Sequence, residues 1–448
     1  MAVGERSTKS RRLRLADTDR EIWRLALPAF LALVAEPLFL LTDAAIIGHL
    51  GTAPLAGLGI AGVILQTVVG LCVFLAYGTT ASVARRIGAG DRRGALTQGI
   101  DGLWLAVGIG LVVTVPVLIA AEPLCRALGA DGAVLDQATT YLRIGILGVT
   151  PLLLLLAGNG VLRGLQDTRT PLVVAVGGNL INIVLNLLFV PVLGMGIAGS
   201  ALGSVLAQVA SVVALLAVIL RGARREGASL RPDFPGIRAA AHAGIPLVVR
   251  TLTLRASLLV TTYGVTAISL PAAATHLAAH QVAFTLWTFL AFVLDAIAIA
   301  AQALTGRALG AGDRATARAL TTRMIWWGVW SGVVLGLALA ALSPVLGHLF
   351  TSDPAVQDAL VPVLIVIAVS QPLCGVVFVL DGVLIGAGDG RYLAWGGLIT
   401  LAVYAPVVLL WHPGLVQIWI TFCLLFMGAR FVVLTTRARG ESWIRLGA

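Results

Sequence analysis

Twelve long apolar runs, separated by short polar or basic segments, follow one another along the chain. About 20 apolar residues cross the hydrocarbon core of a bilayer as a helix. Since the runs match that length or exceed it, the pattern predicts an all-α polytopic membrane protein with twelve transmembrane helices. We place these helices at residues 23–48, 57–84, 96–121, 138–162, 172–191, 197–220, 244–270, 277–305, 319–344, 358–385, 393–411 and 414–435.

Two short motifs recur in the second half of the chain at a single offset. Gly88–Asp91 returns as Gly310–Asp313, and Val161–Asp167 is matched by Val383–Asp389, each 222 residues later. Glycine in these motifs permits a tight helix end, and the aspartate can cap the next helix. Six helices in each half give the copies the same orientation. A duplicated helix bundle is typical of secondary transporters.

The repeat and the polar segments together predict five regions. A basic cytoplasmic arm occupies residues 1–21, and we expect it to be poorly ordered because nothing apolar holds it. An N-lobe of six helices spans 22–221, and a cytoplasmic linker rich in Gly, Pro and Arg spans 222–242. A C-lobe of six helices spans 243–437, and a cytoplasmic tail spans 438–448.

Composition agrees with a bilayer location. The chain is 58% hydrophobic and 12% charged, whereas soluble domains are roughly a quarter charged. The net charge of +10 is concentrated before the first helix and in every second connection. By the positive-inside rule, both termini are then cytoplasmic in the plasma (inner) membrane, and nucleic acid is not the partner. The four cysteines are scattered and suggest neither disulfides nor a metal site.

Polar residues inside the predicted N-lobe helices are candidates for ion coupling. Glu36 and Asp43 stand seven residues apart, which puts them on one helix face about 10 Å apart. Pro37 lets this helix bend between them. Desolvation of a carboxyl favours its protonated form, so Asp43 or Glu36 could carry a proton.

The fifth predicted helix carries a row of amides on one face: Asn179, Asn182 and Asn186. This row is expected to line a polar cavity rather than to face lipid. A purely structural hydrogen-bond network between helices is the alternative for these amides and for Glu36.

The eighth predicted helix carries a polar residue at every seventh position: Gln281, Thr288, Asp295 and Gln302. We expect this stripe to line the interior of the C-lobe. A buried charge is usually compensated, so Asp381 and Arg255 are the candidates to pair with Asp295. An ion pair that only fixes the lobe is the alternative.

Enzyme motifs are missing from the sequence. There is no Gly-x-x-x-x-Gly-Lys-Ser/Thr loop for ATP, and no Asp-Asp-x-x-Asp cluster of the kind that a membrane-embedded transferase needs. We therefore predict a transporter that uses an ion gradient, with no catalytic residues, cofactor or metal. The expected partners are a small organic substrate, H⁺ or Na⁺, and the lipid bilayer, and the chain is expected to be a monomer.

Several spaced motifs resemble one known family. Leu27-Pro28, Glu36-Pro37-Leu38, Asp43–Gly51 and Leu162–Pro171 are similar to motifs of the multidrug and toxic compound extrusion (MATE) family. Leu294–Ala298 and Leu380–Ala387 resemble its DinF-like branch. The similarity covers about residues 20–435.

The resemblance implies two six-helix lobes that form a V and export bulky, often cationic or amphiphilic compounds in exchange for protons or sodium. It also implies that Asp43 works with Asn182, position 186 and Ser204. Relatives commonly have a second aspartate where this chain has Asn186, which cannot titrate and offers Na⁺ no anionic oxygen. We therefore favour protons. A sodium-coupled exporter and a lipid-linked precursor flippase, which should have a more basic cavity, are the alternatives.

Overall fold

The computed structural model describes residues 2–267, 273–411 and 414–447, with the side chains of residues 2–16, Glu36 and Ala273 outside the described part. These residues form helices and no strands. Among them, twelve helices are long and apolar enough to cross a membrane, which confirms the predicted fold class. They are α1 (Asp17–Gly48), α2 (Thr52–Gly88), α3 (Arg92–Ile119), α4 (Gly132–Gly164), α5 (Arg169–Val192), α6 (Gly196–Arg225), α7 (Phe234–Thr266), α8 (Ala274–Gly310), α9 (Arg314–Phe350), α10 (Pro354–Gly386), α11 (Gly390–Leu410) and α12 (Leu415–Arg439).

Each helix coincides with a predicted run, but several extend beyond it. Helix α7 begins ten residues before the predicted start, since its first turns contain Arg238 and His242 and are not apolar. Residues 268–270 of the predicted seventh helix lie outside the described residues. The backbone of α1 is helical from Ala2.

Several spanning helices are locally irregular. Helix α2 is interrupted between Leu71 and Phe74, and α4 contains a 3₁₀ turn at Ile146–Gly148. Helix α5 ends in the π-helical turn Leu188–Val192, which contains Pro191. Proline has no backbone N–H to donate, so it interrupts the regular backbone hydrogen bonds of an α-helix.

The duplicated motifs adopt the same backbone geometry in both halves. Gly90 and Gly312 have φ of +79° and +73°, a region that glycine enters at little cost. The carboxylates that follow accept hydrogen bonds from the backbone N–H of Gly94 and Thr316 and so cap α3 and α9. The predicted capping roles of Asp91 and Asp313 are confirmed.

One compact unit comprises Leu31–Gly244. Its larger apolar cluster contains Ile100, Leu153 and Leu215, from α3, α4 and α6. A second cluster joins Ile47 of α1 to Tyr141 of α4, with Ala61, Leu142, Ile197 and Ala201 around them. This second cluster encloses the polar site described below.

The other unit contains the chain from Ile245 onward and the part of α1 before Leu31. The early turns of α1 pack within it: Trp23 meets the ring of Trp327 with centroids 5.6 Å apart, and Asp19 binds Arg323 through two hydrogen bonds of 2.5 and 2.7 Å. This grouping differs from the predicted boundary, which assigns residues 22–30 to the N-lobe. The aromatic and ionic contacts of these turns account for the difference.

Small residues allow close helix packing in this second unit. A Cβ placed on Gly328, Gly332 or Gly336 of α9 would lie 2.4–2.5 Å from a backbone oxygen of α10. Helix association in lipid relies on such close approach, because apolar side chains gain little from leaving a hydrocarbon solvent.

Candidate functional site

Asp43 lies at the centre of a buried polar site in the first unit. Its side chain is 2% exposed, and three helices supply its partners. The hydroxyl of Tyr141 on α4 donates to Oδ2 over 3.0 Å, and that of Ser200 on α6 donates to Oδ1 over 2.9 Å. Asn186 Nδ2 on α5 also donates to Oδ1. All these described partners are neutral.

A second layer of amides and a hydroxyl extends the network along α5. Asn182 Nδ2 donates to Ser204 Oγ over 3.0 Å, and Asn182 Oδ1 accepts from Asn186 Nδ2 over 3.3 Å. Both asparagines are fully buried. The structure thus brings together Asp43, Asn182, Asn186 and Ser204, which the sequence analysis selected.

Close approach of the α6 backbone shapes this network. A Cβ on Gly203 would lie 2.4 Å from Asn186 Oδ1, so only glycine leaves room for the amide as it stands. Asn186 Oδ1 is buried and accepts no hydrogen bond from the described residues. Burying an amide oxygen without a hydrogen-bond partner costs free energy, so this oxygen is available to accept a hydrogen bond from a new donor.

Helix α1 receives one further hydrogen bond from α5. Asn179 Nδ2 donates to the carbonyl of Ala35 over 2.7 Å, two residues before Pro37. Glu36, which the sequence analysis also selected, has its side chain outside the described residues. Asn179 therefore contacts the backbone of α1 beside the residue that allows the helix to bend.

Two contributors to the site, Tyr141 and Ser200, were missed by the sequence analysis. Ser200 stands four residues before Ser204, so the helical period could have found it on the same face of α6. Tyr141 carries no such signal, because its hydroxyl reaches Asp43, 98 residues away along the chain, only in the folded unit.

The predicted stripe on α8 becomes more buried along its length. Gln281 is exposed, Thr288 and Asp295 are half-buried, and Gln302 is buried. Thr288 Oγ1 donates to the carbonyl of Phe284 in its own helix. Only the later part of the stripe therefore faces the interior of its unit, and Gln281 does not.

Asp381 is held by arginines of its own unit. Arg250 of α7 donates to it through Nε, over 3.2 Å, and through Nη2. Arg430 Nη2 of α12 lies 3.4 Å from Asp381 Oδ1. The expectation that Asp381 or Arg255 pairs with Asp295 was wrong. At about 100° per residue, Arg255 points roughly 140° away from Arg250 on α7, and it is exposed.

Metal ligands do not converge on either cluster. Within the described chain, no three His, Cys, Asp or Glu side chains are close enough to hold a metal ion. Among the described residues, the first site joins the Asp43 carboxyl to neutral hydrogen-bond donors.

Comparison with known proteins gives one family. The MatE family model matches residues 28–188 and 246–410, once in each half of the chain. Protein DETOXIFICATION 44, chloroplastic, of Arabidopsis thaliana is 32% identical over 92% of this chain and 80% of its own length. DNA damage-inducible protein F of Escherichia coli K12 is 30% identical over 67% of this chain and 65% of its own length.

Solved structures show the same fold. A mutant of the Vibrio cholerae MATE transporter VcmN superposes with a TM-score of 0.87 at 20% identity, over 96% of this chain and 99% of the other. A MATE structure in the bent conformation gives 0.86 at 22% identity, over 96% and 97% of the two chains. The chain is a multi-pass membrane transporter, not an enzyme, and it belongs to the MATE family of multidrug and toxin efflux transporters.

Proposed function

We propose that this transporter exports bulky cationic or amphiphilic organic compounds in exchange for protons, with Asp43 as the proton carrier. The observation that supports this most is the set of partners around Asp43. Tyr141, Asn186 and Ser200 are neutral donors, so the carboxyl can lose or gain its charge without breaking an ion pair. Burial disfavours the charge while three donors favour it, and these opposing effects keep both states accessible.

The network can also respond to protonation. A neutral Asp43 needs one acceptor in place of a donor, and hydroxyls rotate to either role. Asn186 supplies a further acceptor if its amide turns over, since its Oδ1 has no described partner. Asn182 and Ser204 are linked to that amide. Asn179, on the same face of α5, binds the backbone of α1 beside Pro37.

Alternating access then follows from the charge on Asp43. The ionised form attracts a cationic substrate, and proton entry from outside neutralises it and weakens that attraction. A bend of α1 at Pro37 accompanies the exchange. Glu36 tunes the site. The proposed lining of a substrate cavity in the second lobe comprises Gln281, Thr288, Asp295, Asp381 and Arg255. Of these residues, Gln281 and Arg255 are exposed and Asp381 is paired with Arg250.

We further propose the plasma membrane as the location and cytoplasmic positions for both termini, based on the arginines before α1 and in alternate connections. We also propose lobes at residues 22–221 and 243–437 and a monomeric state.

Reconstituted transport tests the proposal. Purified protein in liposomes is supplied with a fluorescent hydrophobic cation, and either a pH gradient without sodium or a sodium gradient at equal pH is imposed. We expect the pH gradient alone to drive dye movement. Movement driven by sodium at equal pH would instead establish a sodium-coupled exporter. A protein that moves no dye but flips a lipid-linked phosphate precursor would be a flippase.

A further inference from the structure

The segment that leads into α7 is attached to α3 through a buried carboxyl in the first unit. Asp101 of α3 is 4% exposed, and its carboxyl accepts a hydrogen bond from the backbone N–H of Asp233, the residue before α7. Gly236 in the first turn of α7 is close as well, since a Cβ there would lie 2.3 Å from Asp101 Oδ2. Trp104 Nε1 of α3 also donates to the carbonyl of Leu230, over 3.2 Å.

The carboxyl of Asp233 lies beside that of Asp101. A Cβ on Gly236 would be 2.3 Å from Asp101 Oδ2 and 3.1 Å from Asp233 Oδ2, so both oxygens lie against the same point of the α7 backbone. Asp233 Oδ2 accepts from the Gly236 N–H over 3.3 Å, which holds that carboxyl in place. Two neighbouring carboxylates repel each other, and burial adds a further cost to the charge on Asp101.

Positive charge near Asp101 is shared with another acid. Among the described residues, the groups that act electrostatically on Asp101 are Asp233 and one cation, Arg86 of α2. Arg86 donates through Nη1 to Asp91 over 2.9 Å and through Nε to Gln98 over 2.8 Å. Asp101 Oδ1 is buried and has no hydrogen-bond partner in the described part of the chain. A proton on this carboxyl lowers the cost of burying it.

The corresponding contact in the second half contains opposite charges. The offset of 222 pairs Asp101 with Arg323 of α9, which binds Asp19 near the start of α1. The start of α1 is thus attached to α9 by an ion pair, whereas the start of α7 is attached to α3 beside two acids. An aspartate–arginine pair remains charged from mildly acidic to alkaline pH. Only the contact of α7 is therefore expected to depend on a proton in that range.

We propose that Asp101 and Asp233 share one proton, and that this proton holds the start of α7 against α3. When the pH rises, the proton passes to water, the two carboxylates face each other, and residues 230–244 separate from α3 more often. Helix α7 begins in the first unit and ends in the second, so the proton controls the attachment of a helix that both units share. This site goes beyond the proton-coupled export proposed above and does not depend on Asp43.

Hydrogen exchange of backbone amides, followed by mass spectrometry, tests the proposal. The purified protein is labelled in nanodiscs at several pH values, with labelling times scaled to the intrinsic exchange rate at each pH. We expect protection of residues 230–244 to fall as the pH rises, by up to about tenfold per pH unit, the limit for loss of one proton. The start of α1, residues 17–24, should show no such fall.

Three variants separate the proton from other causes. Asp101→Asn is neutral at every pH and should keep residues 230–244 protected throughout. Asp233→Asn removes the facing charge and should reduce the fall in protection. Asp136→Asn, at an exposed position, should behave as the wild type.

Four outcomes would overturn the proposal: wild-type protection that does not change with pH, the same fall in Asp101→Asn, its loss in Asp136→Asn, or an equal fall at the start of α1. The last outcome would indicate general loosening of the protein. Should Asp101→Asn not fold, Asp233→Asn decides, because an unchanged fall in that variant would show that the two facing carboxyls are not responsible.

Discussion

Two buried aspartates of this transporter differ in what surrounds them. Asp43 receives hydrogen bonds from a tyrosine, a serine and an asparagine, whereas Asp381 is held by two arginines. A carboxyl among neutral donors can change its charge without breaking an ion pair, as the proposed role of Asp43 requires, whereas Asp381 is part of an ion-pair cluster. Residue type and burial alone do not distinguish the two aspartates.

Tyr141→Phe should move the pH dependence of transport upward. The phenol donates to the ionised form of Asp43, and a hydrogen bond to a charged group contributes about 1.5–3 kcal/mol. Without it the protonated form persists to higher pH, by about 1–2 pH units at about 1.4 kcal/mol per unit. Initial rates in liposomes across pH measure the shift, with exposed Tyr263→Phe as control. A profile that stays in place, or moves to lower pH, contradicts the role of Tyr141.

Asp381→Asn should damage folding rather than coupling alone. The substitution removes the carboxylate that Arg250 and Arg430 both contact, and removal of one partner from a buried ion pair costs about 3–5 kcal/mol. The apparent unfolding temperature in detergent should fall well below that of the wild type. Asp136→Asn, at an exposed position, should have little effect. An Asp381→Asn protein as stable as the wild type would show that the cluster does not stabilise the unit.

At the level of helices, the two halves share the same series of six helices but not the same polar site. The offset of 218 between Leu27-Pro28 and Ile245-Pro246 pairs Asp43 with Thr261, and the offset of 222 pairs Asn182 with Tyr404. The hydroxyls of Thr261 and Tyr404 lie 2.7 Å apart, so the second half has a neutral hydrogen bond where the first has an ionisable carboxyl.

Helix α12 differs in the same way from its counterpart in the first half, α6. Aligned from their first residues, α6 and α12 pair Ser200 with Trp419 and Ser204 with Cys423. Trp419 packs against His280 and Phe422 with ring centroids 5.5 Å away in each case. Aromatic packing among the described residues of α12 thus stands where α6 contributes to the polar network of the first half.

Gly203→Ala on α6 tests how closely that helix must approach Asn186. The new methyl group would meet Asn186 Oδ1 at 2.4 Å, so the amide must move and its bond to Asp43 must weaken. We expect proton-driven dye transport to fall severalfold while the protein still folds. Gly222→Ala on the same helix meets no atom within 4 Å and should transport normally. Equal transport by the two variants would exclude a tight fit around Asn186.

The helix caps of the repeat should make stability sensitive to acid. The Gly94 backbone N–H and then Arg86 hold the pKa of Asp91 below its usual value of 3.8, and the Thr316 hydroxyl and backbone N–H do so for Asp313. A lowered pKa contributes stability above the usual value, and this contribution is lost as pH falls through the lowered one.

The apparent unfolding temperature should therefore drop below about pH 4. Asn caps helices without titrating, so the double variant Asp91→Asn, Asp313→Asn should show a smaller drop, measured by thermal unfolding in detergent. An identical dependence of the unfolding temperature on acid in the double variant and the wild type would show that these caps do not cause the acid sensitivity.

The sequence predicted some features better than others, for physical reasons. Apolar run length fixes a spanning helix locally, so all twelve helices were found, and the seven-residue spacing put Asn179, Asn182 and Asn186 on one face. Tyr141 and Arg430 could not be assigned, because their partners are 98 and 49 residues away along the chain. The pairing of Asp381 was misassigned, since two arginines on α7 compete and only the backbone decides which one points inward.

At the scale of the whole molecule, α1 belongs to both compact units. Its turns before Leu31 pack within one unit, through contacts such as Asp19 with Arg323, and Asp43 lies in the other. Pro37 stands between these parts of the helix. On the role proposed for Asp43, a change of its charge would act on a helix whose earlier turns pack within the other unit.

Transport by Asp43→Asn tests the central claim most directly. Wild-type and variant protein, reconstituted at equal amounts, are compared for dye movement driven by a pH gradient and for dye exchange at equal pH without a gradient. We expect that Asp43→Asn folds, retains some gradient-independent exchange, and loses the response to the pH gradient. A variant that still moves dye in proportion to the pH gradient would show that the coupled proton is carried elsewhere.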